Sequence, residues 1–312
     1  MKVGVVVNPV AGNGRMNALW PEIHGALGDH FSDMQIVKTD APGDAIGIAR
    51  DLALDGKHLV IAAGGDGTVS ETVDGLLQAR ESGGPVAELG IMTVGTGSDL
   101  ARGLGIEGSV SALARRIAEA RVRPVDAGRV AFIDDHGALH TRHFINIASL
   151  GVSGTTDRAV NAAKSGGRMS GKMVFLWHTV RELIRYRFQN VRITVDDGEP
   201  VEATIALVAC ANGRYFGGGM MIAPDASIND GQLEVIVVRG VSKLKLIADL
   251  RLVYSGAHRT LGSCTFMRGK KISVEPLGDA LVNGALLDVD GESPGRIPAT
   301  FEILPSAIRV RY

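Results

Sequence analysis

Hydrophobic residues fall into two rhythms along this chain. In its first third, short unbroken apolar runs alternate with segments whose apolar positions recur every three or four residues. The runs read as buried strands at Val3–Val7, 35–38, 58–63 and 89–94, and the periodic segments as helices at 17–27, 45–54, 100–104 and 110–120. One more helix opens at about Val69 and carries Val73, Leu76 and Leu77 on one face. Apolar strands alternating with helices predict a parallel sheet covered by helices on both faces.

The texture changes at Pro124. Strand-like segments then dominate, at 125–133, 143–149, 191–195, 201–211, 233–238, 265–274, 285–289 and 300–304, with turn signals at 134–137 and 196–198. They predict a β-rich second domain, a sandwich or open barrel. The expected fold class is α/β: an N-terminal α/β domain over 1–123 and a β domain over 124–306, with a last strand at 307–312 free to return to the first domain.

Two helical segments interrupt the β domain. Residues 172–188 carry Met173, Leu176, Trp177, Leu183 and Ile184 among Arg181, Arg185 and Arg187, and residues 242–255 carry Leu244, Ile247 and Leu250 beside Lys243, Lys245 and Arg251. Basic amphipathic helices suit an anionic membrane surface. A helix docked on a sheet with a solvated basic face explains the same pattern, and the residues alone favour that reading.

Candidate chemistry gathers at Gly-rich turns after strand ends: 8–15, 64–68 and 95–99. In an open α/β sheet such turns lie on one edge, where ligands bind. A strand, a glycine turn and a helix N-terminus present backbone N–H groups to phosphate. Asp66 stands inside this cradle and would repel an anion unless a cation lay between them, which points to Mg²⁺ with a nucleoside triphosphate. An Asp-Gly hairpin turn is the bland alternative, weakened by the helical spacing that follows.

Other groups carry weaker signals. Asp288, Asp290 and Glu292 would share one face of a strand, suiting a metal or a general base, although an ordinary Asp-Gly turn with a solvated Glu is the better reading of these residues alone. Asn229-Asp230-Gly231 reads as a turn, with a small cation site as its functional alternative. Gly217-Gly218-Gly219 is a wide turn or a loop over a substrate. His136, His140 and His143 lack metal-ligand spacing and read as structural. No Gly-x-Ser-x-Gly or Gly-x-x-x-x-Gly-Lys-Ser/Thr motif occurs, which removes hydrolase and P-loop readings.

Composition narrows the setting. The chain has 312 residues, 45% of them hydrophobic and 21% charged, as expected of a soluble globular protein of two domains. A net charge of −1 gives no field to recruit nucleic acid. The two cysteines, Cys210 and Cys264, lie in apolar strand-like contexts and suggest reduced thiols and a cytoplasmic address. No apolar run is long enough to span a bilayer, and the first apolar run stops at Asn8-Pro9, too short for a signal peptide.

Read together and in order, Asn8-Pro-x-Ala-Gly-x-Gly-Arg15, Gly64-Gly-Asp-Gly-Thr68, Gly95-Thr-Gly-Ser-Asp-Leu-Ala-Arg102, Ala223-Pro-Asp-Ala with Asn229-Asp-Gly-Gln-Leu233, and Val289-Asp-Gly-Glu292 resemble the diacylglycerol kinase-type lipid kinases, especially the bacterial branch. That family is related to sphingosine kinases and more distantly to NAD kinases, which share Gly-Gly-Asp-Gly-Thr. The resemblance covers nearly the whole chain. It implies an α/β nucleotide domain and a C-terminal β-sandwich, with ATP and lipid meeting in the cleft between them.

By matched position it implies ATP contacts at Asn8, Thr39, Gly65, Asp66, Gly67, Thr68, Val69, Ser70, Glu71 and Thr96. It implies a structural Mg²⁺ loop at Asp230 with the carbonyls of Ser227 and Gln232, and essential carboxylates at Asp290 and Glu292, with Glu292 as the base. Ser70 and Ser98 stand where the family more often has Asn. The implied partner is a lipid at a membrane surface, reached peripherally from the cytoplasmic face, and in that setting the basic helices read as membrane contacts. Two alternatives remain: a soluble-metabolite kinase of the NAD-kinase sort, and a nucleotide- or lipid-binding regulator without turnover. The acceptor lipid and the oligomeric state, a homodimer included, stay open.

Overall fold

The computed structural model describes residues 1–93, 98–163, 171–280 and 284–312, with side chains in the 171–185 helix described from residue 173. The chain divides into two units, Met1–Asp126 with Ser306–Tyr312, and Ala127–Pro305.

In the first unit β1 (Val3–Val7), β2 (Met34–Lys38), β3 (Leu59–Gly64) and β4 (Glu88–Thr93) form a parallel sheet in the order β2-β1-β3-β4. The end of β14 (Arg296–Arg311) adds a further parallel strand beside β4, pairing Arg309, Val310 and Arg311 with Glu88, Leu89 and Gly90. β1 and β3 are buried throughout, which explains their unbroken apolar runs. The helices pair as α1 (Arg15–Gly28) with α5 (Val110–Glu119), and α2 (Asp44–Leu54) with α3 (Asp66–Glu81). The step from β1 to β2 runs opposite to the step from β2 to β3, so right-handed crossovers put α1 and α2 on opposite faces.

The second unit is antiparallel. Its strands are β6 (Leu139–Phe144), β7 (Ile147–Gly151), β8 (Gln189–Val195), β9 (Val201–Ala211), β10 (Leu233–Arg239), β11 (Cys264–Gly269), β12 (Lys271–Pro276) and β13 (Leu287–Val289), with parts of β5 (Val122–Ile133) and β14. β9 and β10 are buried on both faces. Ile205, Val208 and Cys210 join Leu233, Val235 and Val237 in one core, whereas Ala206, Leu207, Ala209 and Ile236 face a second core. The register against β10 shifts by one residue at Ala206, a bulge that turns both Ala206 and Leu207 to the second side. There they meet α7 (Gly171–Arg185) and α8 (Lys243–Val253) through Leu183 and Leu246.

Several expected elements need correction. The strand expected at 143–149 is broken, because the N–H groups of Ile145, Asn146 and Ile147 turn away from the ladder to the Asp290 carboxylate. The strand expected at 265–274 breaks at Lys270, where Asp196 Oδ1 accepts the N–H groups of Lys270 and Lys271. The sequence pattern misses α6 (Val152–Ala162) altogether, since its buried face is Ser153, Gly154, Thr156 and Asp157 rather than an apolar stripe. His140, read as structural, pairs with Asp134 at 3.1 Å. Both cysteines are free, and burial pushes the Cys210 thiol well up. Among the described residues no helix is long and apolar enough to cross a membrane.

Candidate functional site

In the first unit the chemistry lies at the carboxyl edge of the sheet. Val7 pairs with Ala63 and Gly64 pairs with Thr93, so β1, β3 and β4 end level with one another. The strand order reverses between β1 and β3, and ligands of open α/β sheets bind in that crevice. Asn8 leaves β1 there; its Nδ2 donates to Thr68 Oγ1 at 3.0 Å and its Oδ1 accepts the Val10 N–H at 3.2 Å. Thr39 is held to the same edge by its N–H, which donates to the Val7 carbonyl at 2.9 Å.

The Gly-rich turn is shorter than expected. α3 starts at Asp66 rather than Val69, with Gly65 extended as the N-cap and its carbonyl accepting the Val69 N–H at 3.1 Å. Gly64 is obligatory by contact, because a Cβ there would overlap the Thr68 side chain. The first N–H groups of α3 have no intrahelical acceptor and lie beside Asn8, a cradle suited to phosphate oxygens.

The residues placed along this helix by resemblance do not all face the edge. Val69, Ser70 and Glu71 are buried. Glu71 instead accepts the N–H groups of Gly43 at 2.9 Å and Ala45 at 3.2 Å, so it anchors the start of α2. Thr96 lies outside the described residues, as do Gly95 and Gly97 of the third turn.

Asp66 faces α4 (Asp99–Leu104). Ser98 Oγ donates to Oδ1 at 2.5 Å and the Asp99 N–H donates to Oδ2 at 3.0 Å. Burial pushes its pKa up against these donors and the Arg102 guanidinium. A carboxylate has about four lone-pair sites, so Asp66 retains capacity for a cation that takes its other ligands from substrate phosphates.

In the second unit the Asp288–Glu292 stretch is a tight turn and not a continued strand, so its three carboxylates do not share a face. Val289 and Glu292 exchange backbone hydrogen bonds of 2.7 and 3.1 Å, and Asp290 adopts φ +49°. The Asp290 carboxylate accepts the N–H groups of Ile145 at 2.9 Å, Asn146 at 3.1 Å and Ile147 at 2.8 Å, which makes it an anchor between this turn and the β6–β7 connection. Glu292 is half-buried one residue past the glycine.

Asp230 lies in a loop with Ser227, whose Oγ is 3.1 Å from Asn229 Oδ1, and Gln232, whose N–H donates to Asp230 at 3.1 Å. Arg268 pairs with Asp230 and, through Nε at 3.2 Å, with buried Glu234. A guanidinium therefore balances the charge of the Asp230 carboxylate. Among the described residues no three His, Cys, Asp or Glu side chains gather as a metal site.

A feature with no counterpart in the sequence pattern lies between the β9–β10 face and helices α6, α7 and α8. It is an apolar pocket walled by Phe175, Leu183, Leu207, Phe216, Ile222 and Leu250 among others. Its walls come from seven separate stretches of chain, which is why no local motif announces it.

Residues 2–130 match the diacylglycerol kinase catalytic domain, and residues 146–312 match the YegS C-terminal NAD kinase beta sandwich-like domain. The chain belongs to the diacylglycerol kinase-type lipid kinase family. A diacylglycerol kinase of Mycobacterium tuberculosis is 30% identical over 99% of this chain and 94% of its own length. A probable YegS-like lipid kinase of Chromohalobacter salexigens is 33% identical over 76% of this chain and 73% of its own. The crystal structure of a diacylglycerol kinase from Bacillus anthracis superimposes with a TM-score of 0.70 at 25% identity, over 100% of this chain and 96% of that one. Yeast NADH kinase, at 12% identity and a TM-score of 0.50 over 99% of this chain and 82% of its own, shares the fold alone. Within the lipid kinase family, the nucleotide-type edge and the apolar cavity belong to the two separately matched domains.

Proposed function

We propose that this kinase transfers the γ-phosphoryl group of ATP to a hydroxyl of a long-chain lipid. The observation that carries the reading is the apolar cavity under α7 and α8, which suits a hydrocarbon chain and offers little to a dinucleotide. The Asn8 loop and the N-terminus of α3 take the phosphates, with N–H groups aimed at the transferring charge. Mg²⁺, when bound beside Asp66, would neutralise the phosphate oxygens. Glu292 takes the proton of the lipid hydroxyl as its oxygen attacks the γ-phosphorus and ADP leaves. Asp290 holds the turn that carries Glu292. Positioning supplies much of the rate.

Exposed apolar residues on α7 and α8 support an interfacial substrate. Met173, Trp177, Ile184 and Leu244 are all more than half exposed, and Arg181 lies over the Trp177 ring at 5.4 Å. Such a face reaches the headgroup layer of an anionic membrane while the cavity receives a chain.

The deciding assay follows labelled phosphate from ATP, with Mg²⁺, into long-chain glycerolipids and sphingoid lipids in mixed micelles and into NAD in buffer. Label should enter a lipid and not NAD. Ala206→Leu, which narrows the cavity, should raise KM for the long-chain acceptor while leaving KM for ATP unchanged. Label in NAD alone would overturn the reading.

A further inference from the structure

Beside Glu292 lie two carboxyl groups that the proposed chemistry leaves unused. Asp157 of α6 and Asp288 of β13 are each 4% exposed and stand within hydrogen-bonding reach of one another. Asp288 is well supplied with donors: Ser149 Oγ at 2.8 Å and the Gly291 N–H at 2.9 Å. Ser149 is itself 2.7 Å from Ser153 Oγ, so the chain of hydroxyls ends on this carboxylate. Asp157 has no such support, and its buried Oδ2 has no hydrogen-bond partner.

Two ionised carboxylates at this separation, away from water, repel strongly, and one keeps its proton. The proton stays where donors are missing. That makes Asp157 the acid that donates and Asp288 the carboxylate that accepts.

We propose that Asp157 and Asp288 hold one proton between them, with Asp157 as the neutral acid, and that this proton fixes the Val289–Glu292 turn and lets Glu292 carry its charge beside them. Asp157 is thus a positioning residue for the turn; its bearing on the reaction rests on the reading of Glu292 as the base. Burial pushes both carboxyl groups up, and the charges of Asp288 and Glu292 push Asp157 further.

Those two groups, from β13 and the turn after it, are the charges that act on Asp157. β7 brings no titratable side chain, and β9 brings the un-ionised Cys210 thiol and an exposed Glu202 at its far end. α7 carries the buried His178 together with Arg181, Glu182 and Arg185, none of which acts on Asp157.

The sign follows from linkage. A carboxyl whose folded pKa lies above its unfolded value adds stability that is complete below about pH 4 and is lost as pH rises through the folded value. The full-length protein, its Asp157→Asn variant and its Asp288→Asn variant would be melted from about pH 5 to about pH 9 without ATP or lipid, and their kinase pH profiles recorded. The wild-type melting temperature should fall as pH rises. Asp157→Asn keeps an amide donor toward Asp288 without a titrating proton, so its curve should flatten and meet or cross the wild type at the alkaline end. Its activity profile should lose the alkaline fall.

Parallel melting curves for wild type and Asp157→Asn would overturn the shared proton. Should Asp157→Asn fail to fold, Asp288→Asn decides: removing the partner charge should lessen the slope, burial alone still raising Asp157, and an unchanged slope overturns the proposal. Failure of the wild type to phosphorylate any lipid would sink the kinase reading, while the melting curves would still judge the pair.

Discussion

Asp290 sits in a left-handed backbone conformation with three backbone N–H groups turned toward its carboxylate. Charge-assisted hydrogen bonds of this kind contribute about 1.5–3 kcal/mol each, enough to offset the strain of a non-glycine residue at positive φ. Glu292, two residues on, has its backbone tied into the same turn but its side chain only half-buried. Their substitutions should therefore separate. Asp290→Ala should lower stability by about 3 kcal/mol or more, read as a shift in denaturant midpoint, because donors are left without an acceptor. Glu292→Gln should hold stability to within about 0.5 kcal/mol and lower kcat by roughly 10²–10⁴-fold. Equal loss of stability in both variants would contradict the division. The adjacency of the two carboxylates in sequence hides it, since pairing with Ile145, Asn146 and Ile147 depends on a contact across more than 140 positions.

At the scale of elements, α7 shows how one amphipathic pattern can serve two surroundings. Leu183 is buried against the sheet, whereas Trp177 and Ile184 stay more than half exposed on the same helix. Lys243 Nζ donates to the Ile184 carbonyl at 2.6 Å, so α8 caps the end of α7 and the two helices hold together as one surface. Arg181 over Trp177 and the exposed Arg185 place charge beside apolar area, the combination that favours an anionic interface. Reversing both arginines to Glu should abolish cosedimentation with vesicles rich in anionic lipid and leave the melting temperature nearly unchanged. Vesicle binding that survived would assign this face to some other role. α6 is the opposite case: its buried side is small and polar because Gly154 lies against the Leu286 and Leu287 carbonyls, a contact that periodicity cannot register.

At the scale of the whole molecule, the last residues complete the first unit. Arg311 pairs with Glu88 at 2.6 Å and donates to the Ile117 and Ala118 carbonyls at the end of α5, while the Ala307 carbonyl accepts from Arg80 at 2.7 Å. Ending the chain at Pro305 should leave β4 as an open edge and should speed hydrogen exchange in β4 and α5 while the β9–β10 pair keeps its protection. Uniform exchange across both units would argue against that division. The sequence by itself determined the α/β order of the first unit, the β-rich second unit and the positions of the turns around Asn8 and Asp66, because burial on both faces and backbone demands at glycine are local and leave a periodic trace. Only the tertiary structure decided that Glu71 anchors α2, that Arg268 pairs with Asp230, that Asp290 is an anchor, and that helices and sheet enclose an apolar cavity. Each of these is a contact between distant stretches, and a side chain's partner across such a distance is set by packing that no local spacing encodes.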